Sequence, residues 1–136
     1  MRGSACIVGV IMKTVSTLAG GQQSAAEAAH DHSGAPLPEL PPRELLETSG
    51  DLLRALAAPV RIAIVLQLRE SARCVHELVD ALAVPQPLVS QHLRILKAAG
   101  VVAGERSGRE VMYRLVDHHL AEIVVAAVTH AAEGSE

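Results

Sequence analysis

Four donors for a borderline metal ion stand near the C-terminal end, arranged as Asp117-x-His119, ten residues, then His130-x-x-Glu133. Imidazole nitrogen and carboxylate oxygen are ligands that zinc accepts, at about 2 Å. Leu120, Ile123, Val124, Ala127, Val128 and Ala131 recur at the i, i+3, i+4, i+7 spacing of a helix, and Asp117 stands where an N-cap belongs. The spacing predicts a helix over 117–132. His119 and His130 lie three turns apart on one face of it, roughly 16 Å at about 1.5 Å per residue, so a single helix cannot close the site.

Two antiparallel copies can. Asp117 paired with Glu133, and His119 paired with His130, are both centred on residue 125 to within half a residue. A two-fold axis near 125 therefore brings Asp117 and His119 of one chain beside His130 and Glu133 of the partner subunit, twice per dimer. The seam His119, Ile123, Ala126, His130, Glu133 steps in the alternating fours and threes of paired helices, with small Ala126 allowing close approach at the middle. The plainer alternative is a capping Asp, two solvated His and a terminal Glu on an ordinary dimer helix.

The elements that must position these residues are constrained by composition. Of 136 residues 49% are hydrophobic, yet Phe and Trp are absent and Tyr113 is the only aromatic, so the core must be Leu, Val, Ile and Ala. That favours packed helices and argues against stacking on single-stranded bases. The formal charge of -3 hides an asymmetry: residues 87–116 carry Arg94, Lys97, Arg106, Arg109 and Arg114 against Glu105 and Glu110, whereas the chain from 117 onward has no basic residue. A local basic face on an acidic chain is compatible with duplex DNA. Cys6 and Cys74 are too few for a disulfide framework, which points to a reducing cytoplasm. The apolar run from Cys6 to Met12 is too short to span a bilayer, so no membrane is expected.

Residues 1–40, with Gly20-Gly21, Pro36 and Pro38 and no sustained period, are expected to be a mobile tail, and 41–136 the folded domain. Within the tail, His30-Asp31-His32 is either a metal-ligand arm or a solvated pair. Leu45, Leu46, Leu52, Leu53 and Leu56 suggest a helix over 43–57 that serves the core and a dimer face, weakened in its middle by Gly50. Pro59 suits a first helical turn, and the helix through Val60, Ile62, Ile64, Val65, Leu66 and Leu68 is apolar on nearly all sides, hence the central post.

Cys74–Leu82, a tight connection over 83–86 and a helix opened by Pro87 make a helix-turn-helix. Its second helix runs through Leu88, Val89, Leu93 and Leu96, ends at Gly100, and leaves Ser90, Gln91, Arg94 and Lys97 on polar faces suited to a major groove. Val101–Arg106 and Glu110–Val116, joined by Ser107-Gly108-Arg109, predict a hairpin wing whose Arg106, Arg109 and Arg114 can meet phosphate. The expected fold is mainly α with a small β-hairpin, a homodimeric winged helix-turn-helix. His76-Glu77 with Asp80 approaches a zinc-protease pattern, but no third ligand follows, so no enzyme is expected. Cys74 and Glu77 are either a partial second metal site completed by His30 or His32, or a structural cysteine with a neighbouring carboxylate.

Over about 45–133 the chain resembles the ArsR/SmtB family of metal-sensing winged-helix repressors. Leu56-Ala57-Ala58-Pro59-Val60-Arg61 is similar to the family's second-helix entry, Val89-Ser90-Gln91-His92-Leu93-Arg94-Ile95-Leu96 to its recognition helix, and Gly108-Arg109-Glu110-Val111-Met112-Tyr113 to its wing. Asp117, His119, His130 and Glu133 match its C-terminal-helix zinc site ligand for ligand. The resemblance implies a homodimer that represses through double-stranded operator DNA and is released when a regulatory zinc ion binds. It adds His92 to the DNA-binding set, and it implies a hydrogen bond from His130 to backbone near Gly100. The alternative is a winged-helix regulator that senses no metal at this helix.

Overall fold

The computed structural model describes residues 34–135. Two compact units divide the chain, Met1–Leu45 and Leu46–Glu136. Of the first, residues 34–42 have no regular structure and lead into a helix, where Leu45 N donates to Pro42 O at 3.0 Å. Cys6, His30, His32 and most of the expected 1–40 tail lie outside the described residues.

The elements in order are α1 (Arg43–Leu56), α2 (Pro59–Glu70), α3 (Val75–Leu82), α4 (Gln86–Ala98), β1 (Val102–Ser107), β2 (Glu110–Leu115) and α5 (His118–Glu133). The mainly helical fold with one hairpin is therefore the one expected. Helix α1 runs unbroken through Gly50, and only Ala55 and Leu56 in its last turn are buried. Leu52 packs at the core's edge while Leu53 is 47% exposed, so α1 gives its own core less than its apolar spacing suggested.

Pro59 occupies the first turn of α2, where its missing N–H costs no intrahelical bond. Ile64, Val65 and Leu68 are buried and Val60, Ile62 and Leu66 pack around them, while the helix touches α3, α4, β2 and α5. It is the central post. Leu78, Val89, Leu93, Leu96, Val101 and Val102 close the core over it, each contributing about 1.5–3 kcal/mol by burial. No polar or charged residue is buried among the described residues.

Helix α3 ends on Ala83 in the left-handed region (φ 54, ψ 40), with Ala83 N donating to Val79 O. Helix α4 ends in a Schellman motif: Gly100 at φ +75 donates to Lys97 O, and Val101 N returns to Leu96 O at 2.9 Å. Buried Leu96 and Val101 are the apolar pair that seals such an end.

In the wing the register runs from Val102↔Leu115 to Ser107↔Glu110. That leaves Gly108-Arg109 as a two-residue turn, not the three-residue Ser107-Gly108-Arg109 expected. Only Gly108 has positive φ there, the pattern of a type II′ turn whose twist matches the flanking strands. A contact with no local signal docks the wing: Arg73 N donates to Tyr113 O at 3.0 Å and Tyr113 N to Arg73 O at 2.8 Å.

Candidate metal centre and nucleic-acid interface

Asp117 caps α5 as its sequence position required. Its Oδ1 accepts from His119 N at 2.9 Å and lies 2.6 Å from His119 Nδ1. The backbone hydrogen bond, reinforced by charge on the His119 and His118 rings, holds the Asp117 carboxyl below its ordinary value. Both side chains face water, at 53% exposure for Asp117 and 80% for His119. Among the described residues, no hydrogen bond engages Asp117 Oδ2 or His119 Nε2.

His130 and Glu133 stand exposed at the far end of the same helix. Among the described residues, no group of three or more His, Cys, Asp or Glu converges within one chain. The structure thus brings Asp117 and His119 together and keeps His130 and Glu133 apart from them. Two nitrogen and oxygen donors at each helix end are half of a tetrahedral zinc shell, so the donor chemistry fits a site completed by a second copy.

Of the apolar repeat on α5, only Leu120 and Val124 are buried, joined by Ala121, which lies outside that repeat. Ile123 is 36% and Val128 41% exposed, and every residue from 126 to 135 is exposed. The buried residues of α5 lie in its first two turns, and the helix packs on α2 and β2. The stripe His119, Ile123, Ala126, His130, Glu133 is exposed throughout, on the side away from Leu120 and Val124.

Cys74 is a free thiol, 7% exposed, at the N-cap of α3, and Glu77 Oε2 accepts from Cys74 N at 3.0 Å in a capping box. That satisfies an orphan backbone donor without any ion. His30 and His32, which would complete a site with this pair, lie outside the described residues. His76, Glu77 and Asp80 are exposed on α3.

On α4, Gln91, Arg94 and Lys97 are exposed and Ser90 half-buried, and no acidic residue interrupts the helix. Val89, Leu93 and Leu96 are buried, but Leu88 is 46% exposed beside Gln91. Leu88, one of the apolar positions that mark the helix, falls out of phase with the 89, 93, 96 spacing, a signal available in the sequence. His92 is half-buried with its Nδ1 3.2 Å from Arg61 Nη1, and Arg61 Nε donates to Ala55 O at 2.6 Å. Sequence reasoning assigned Arg61 no role, because its partners are 6 and 31 residues away. Arg106 and Arg109 stand exposed on the wing, and Arg114 Nη1 donates to Leu115 O at 3.4 Å.

A helix-turn-helix made of α3 and α4, followed by a two-stranded wing, defines the winged helix-turn-helix class of DNA-binding protein. The family profile described as bacterial regulatory protein, arsR family, matches residues 58–103. Over 114 residues the chain is 73% identical to the HTH-type transcriptional repressor SmtB of Mycobacterium tuberculosis, covering 84% of this chain and 83% of that one. The solved transcriptional repressor BigR of Xylella fastidiosa superposes with a TM-score of 0.57 at 33% identity, covering 65% of this chain and 95% of that one. The homodimeric winged helix-turn-helix domain of Mb0332 from Mycobacterium bovis gives a TM-score of 0.62 at 27% identity, covering 68% of this chain and 86% of that one. This chain belongs to the ArsR/SmtB family of winged helix-turn-helix transcriptional repressors, DNA-binding proteins and not enzymes. Among the described residues, no helix is long and apolar enough to cross a membrane.

Proposed function

We propose that the chain is a zinc-responsive repressor. As a homodimer in the cytoplasm it holds operator DNA through α4 and the wing, and it leaves that DNA when zinc binds where two α5 helices meet. Asp117 and His119 of one protomer, with His130 and Glu133 of the partner subunit, would hold the ion. The observation that carries the reading is the outer stripe of α5, exposed along its length, with donors at both ends symmetric about residue 125. A homodimeric relative with the same fold supports a dimer. The ion would supply positive charge and a fixed tetrahedral geometry to a seam otherwise joined by packing alone.

In this reading Gln91, Arg94 and His92 face base edges or neighbouring phosphates, while Ser90, Lys97, Arg106 and Arg109 meet the backbone. The proposed domain is 41–136, with 1–40 a tail whose His30 and His32 are candidate partners of Cys74 and Glu77 in a second metal site. If they reach it, deleting the tail lowers total zinc per dimer and leaves the zinc response of DNA binding in place; an unchanged stoichiometry returns His30-Asp31-His32 to a solvated pair.

The test is an operator titration with and without zinc, with chelator reversal, beside a count of bound zinc. Two ions per dimer at α5 and a loss of operator affinity that the chelator restores are the expected results. Unchanged affinity in saturating zinc would return the chain to a repressor that senses no metal at this helix.

A further inference from the structure

We infer that Arg61, a residue outside the helix-turn-helix, sets the tautomer of His92 and so decides which polarity the recognition helix offers to DNA at that position. The argument begins with the guanidinium. It carries donors only and keeps its proton at any physiological pH, so in the 3.2 Å contact between Arg61 Nη1 and His92 Nδ1 the ring nitrogen must be the acceptor. In this contact Nδ1 therefore bears no proton, which leaves the ring's N–H on Nε2.

Nε2 has no partner among the described residues. Among the described residues the only fully buried side-chain nitrogen or oxygen without a hydrogen bond is Arg73 Nε, so His92 Nε2 reaches solvent although the ring is half-buried. It lies next to exposed Gln91, one turn on from exposed Leu88. A donor at that place suits an acceptor on DNA, a phosphate oxygen or a base-edge oxygen or N7. The opposite tautomer would set a donor against the Arg61 donor and turn a bare lone pair toward the duplex, where phosphate repels it.

Arg61 is itself fixed. Its Nε donates at 2.6 Å to Ala55 O, in the last turn of α1 where helix carbonyls lack an intrahelical partner. One side chain at the start of α2 thus joins the end of α1 to the recognition helix. Arg61 acts as a positioning residue.

The inference rests on the reading of α4 as the DNA-contacting helix, and the experiment separates the two. Long-range proton–nitrogen correlation spectra of the His92 ring, taken on the full-length protein without DNA, are expected to show the Nε2–H tautomer in wild type. Arg61→Lys, which retains a donor, should keep it, and Arg61→Met should populate Nδ1–H. Operator affinity should fall about tenfold in Arg61→Met, the scale of one hydrogen bond to a charged group, and should hold in Arg61→Lys. His92→Gln places an amide donor near the position of Nε2, and in that background Arg61→Met should change affinity little.

Comparing operator with random DNA identifies the acceptor: equal losses indicate phosphate, a larger loss on operator a base edge. An Nδ1–H tautomer in wild type, or the same loss from Arg61→Met in both His92 and His92→Gln backgrounds, overturns the inference. Because neutral imidazole already favours Nε2–H, a folded Arg61→Met that keeps an unchanged tautomer also overturns it, and Arg61→Ala gives the same comparison if Arg61→Met fails to fold. Failure of wild type to bind operator at all would instead sink the reading of α4, leaving the tautomer result standing on its own.

Discussion

Asp117 carries two duties at one atom, since Oδ1 caps α5 through His119 N and also faces His119 Nδ1. Substitutions can separate capping from charge. Asp117→Asn retains a capping oxygen but not the charge, so at neutral pH it should lower the thermal midpoint slightly, and by less than the few degrees expected of Asp117→Ala; both should weaken zinc binding. The carboxyl is held below its ordinary value of 3.8, first by the His119 backbone hydrogen bond, so ionised Asp117 stabilises the fold above 3.8. That contribution is lost as pH falls through the lower folded value. Wild type and Asp117→Asn should accordingly converge in strong acid, as thermal scans across pH would reveal; a gap that widens on acidification would contradict the assignment. On the DNA face, Gln91→Ala and Arg94→Ala should weaken operator binding and relax sequence preference. Arg109→Ala should weaken binding to operator and random DNA alike and reduce the salt slope by about one. Equal losses on both DNAs for all three would contradict the division between base and phosphate contacts.

At the scale of elements, the turn inside the helix-turn-helix holds a correctable strain. Ala83 ends α3 in the left-handed region, where a Cβ costs about 1–2 kcal/mol that glycine avoids. Ala83→Gly should therefore stabilise the fold by about 1 kcal/mol after glycine's greater unfolded-state freedom is counted, measurable by urea denaturation. Elements whose ends are marked by single residues were legible in the sequence: Pro59 and Pro87 at helix starts, Asp117 at a cap, Gly100 just past α4 and Gly108 in the wing turn. Docking between distant segments was not. Arg73 meeting Tyr113 and Arg61 meeting His92 span 40 and 31 positions, and neither residue type announces its partner. Periodicity also marked Ile123, Val128 and Leu53 as apolar without saying which would be covered by their own chain. The proposed metal donors lay between these cases: their symmetric spacing was legible on one helix, whereas among the described residues of one chain they do not converge.

For the whole molecule, the exposed outer stripe of α5 is the surface on which the proposed dimer rests. Ile123 sits 36% exposed in the middle of the outer stripe of α5. Ile123→Glu would place two like charges near the proposed two-fold axis, and it should shift sedimentation from dimer toward monomer while leaving the monomer's helical content intact. An unaltered dimer would show that α5 is not at the interface. Linkage then requires that zinc weaken operator affinity by the same factor by which operator weakens zinc affinity, about 5- to 150-fold for typical couplings. The dimer's two recognition helices should meet an imperfect palindrome with half-sites about one helical turn apart.

The backbone pair between Arg73 and Tyr113 has an optical consequence. Tyr113 is the chain's only fluorophore, in a sequence with neither Trp nor Phe, and it stands in β2 where the wing is tied to the start of α3. Its emission therefore reports the wing alone, whereas far-ultraviolet dichroism reports the helices. During denaturation the two signals coincide if wing and helices melt as one unit and separate if the wing detaches first. The same ring, without any attached label, would register the arrival of DNA at the wing.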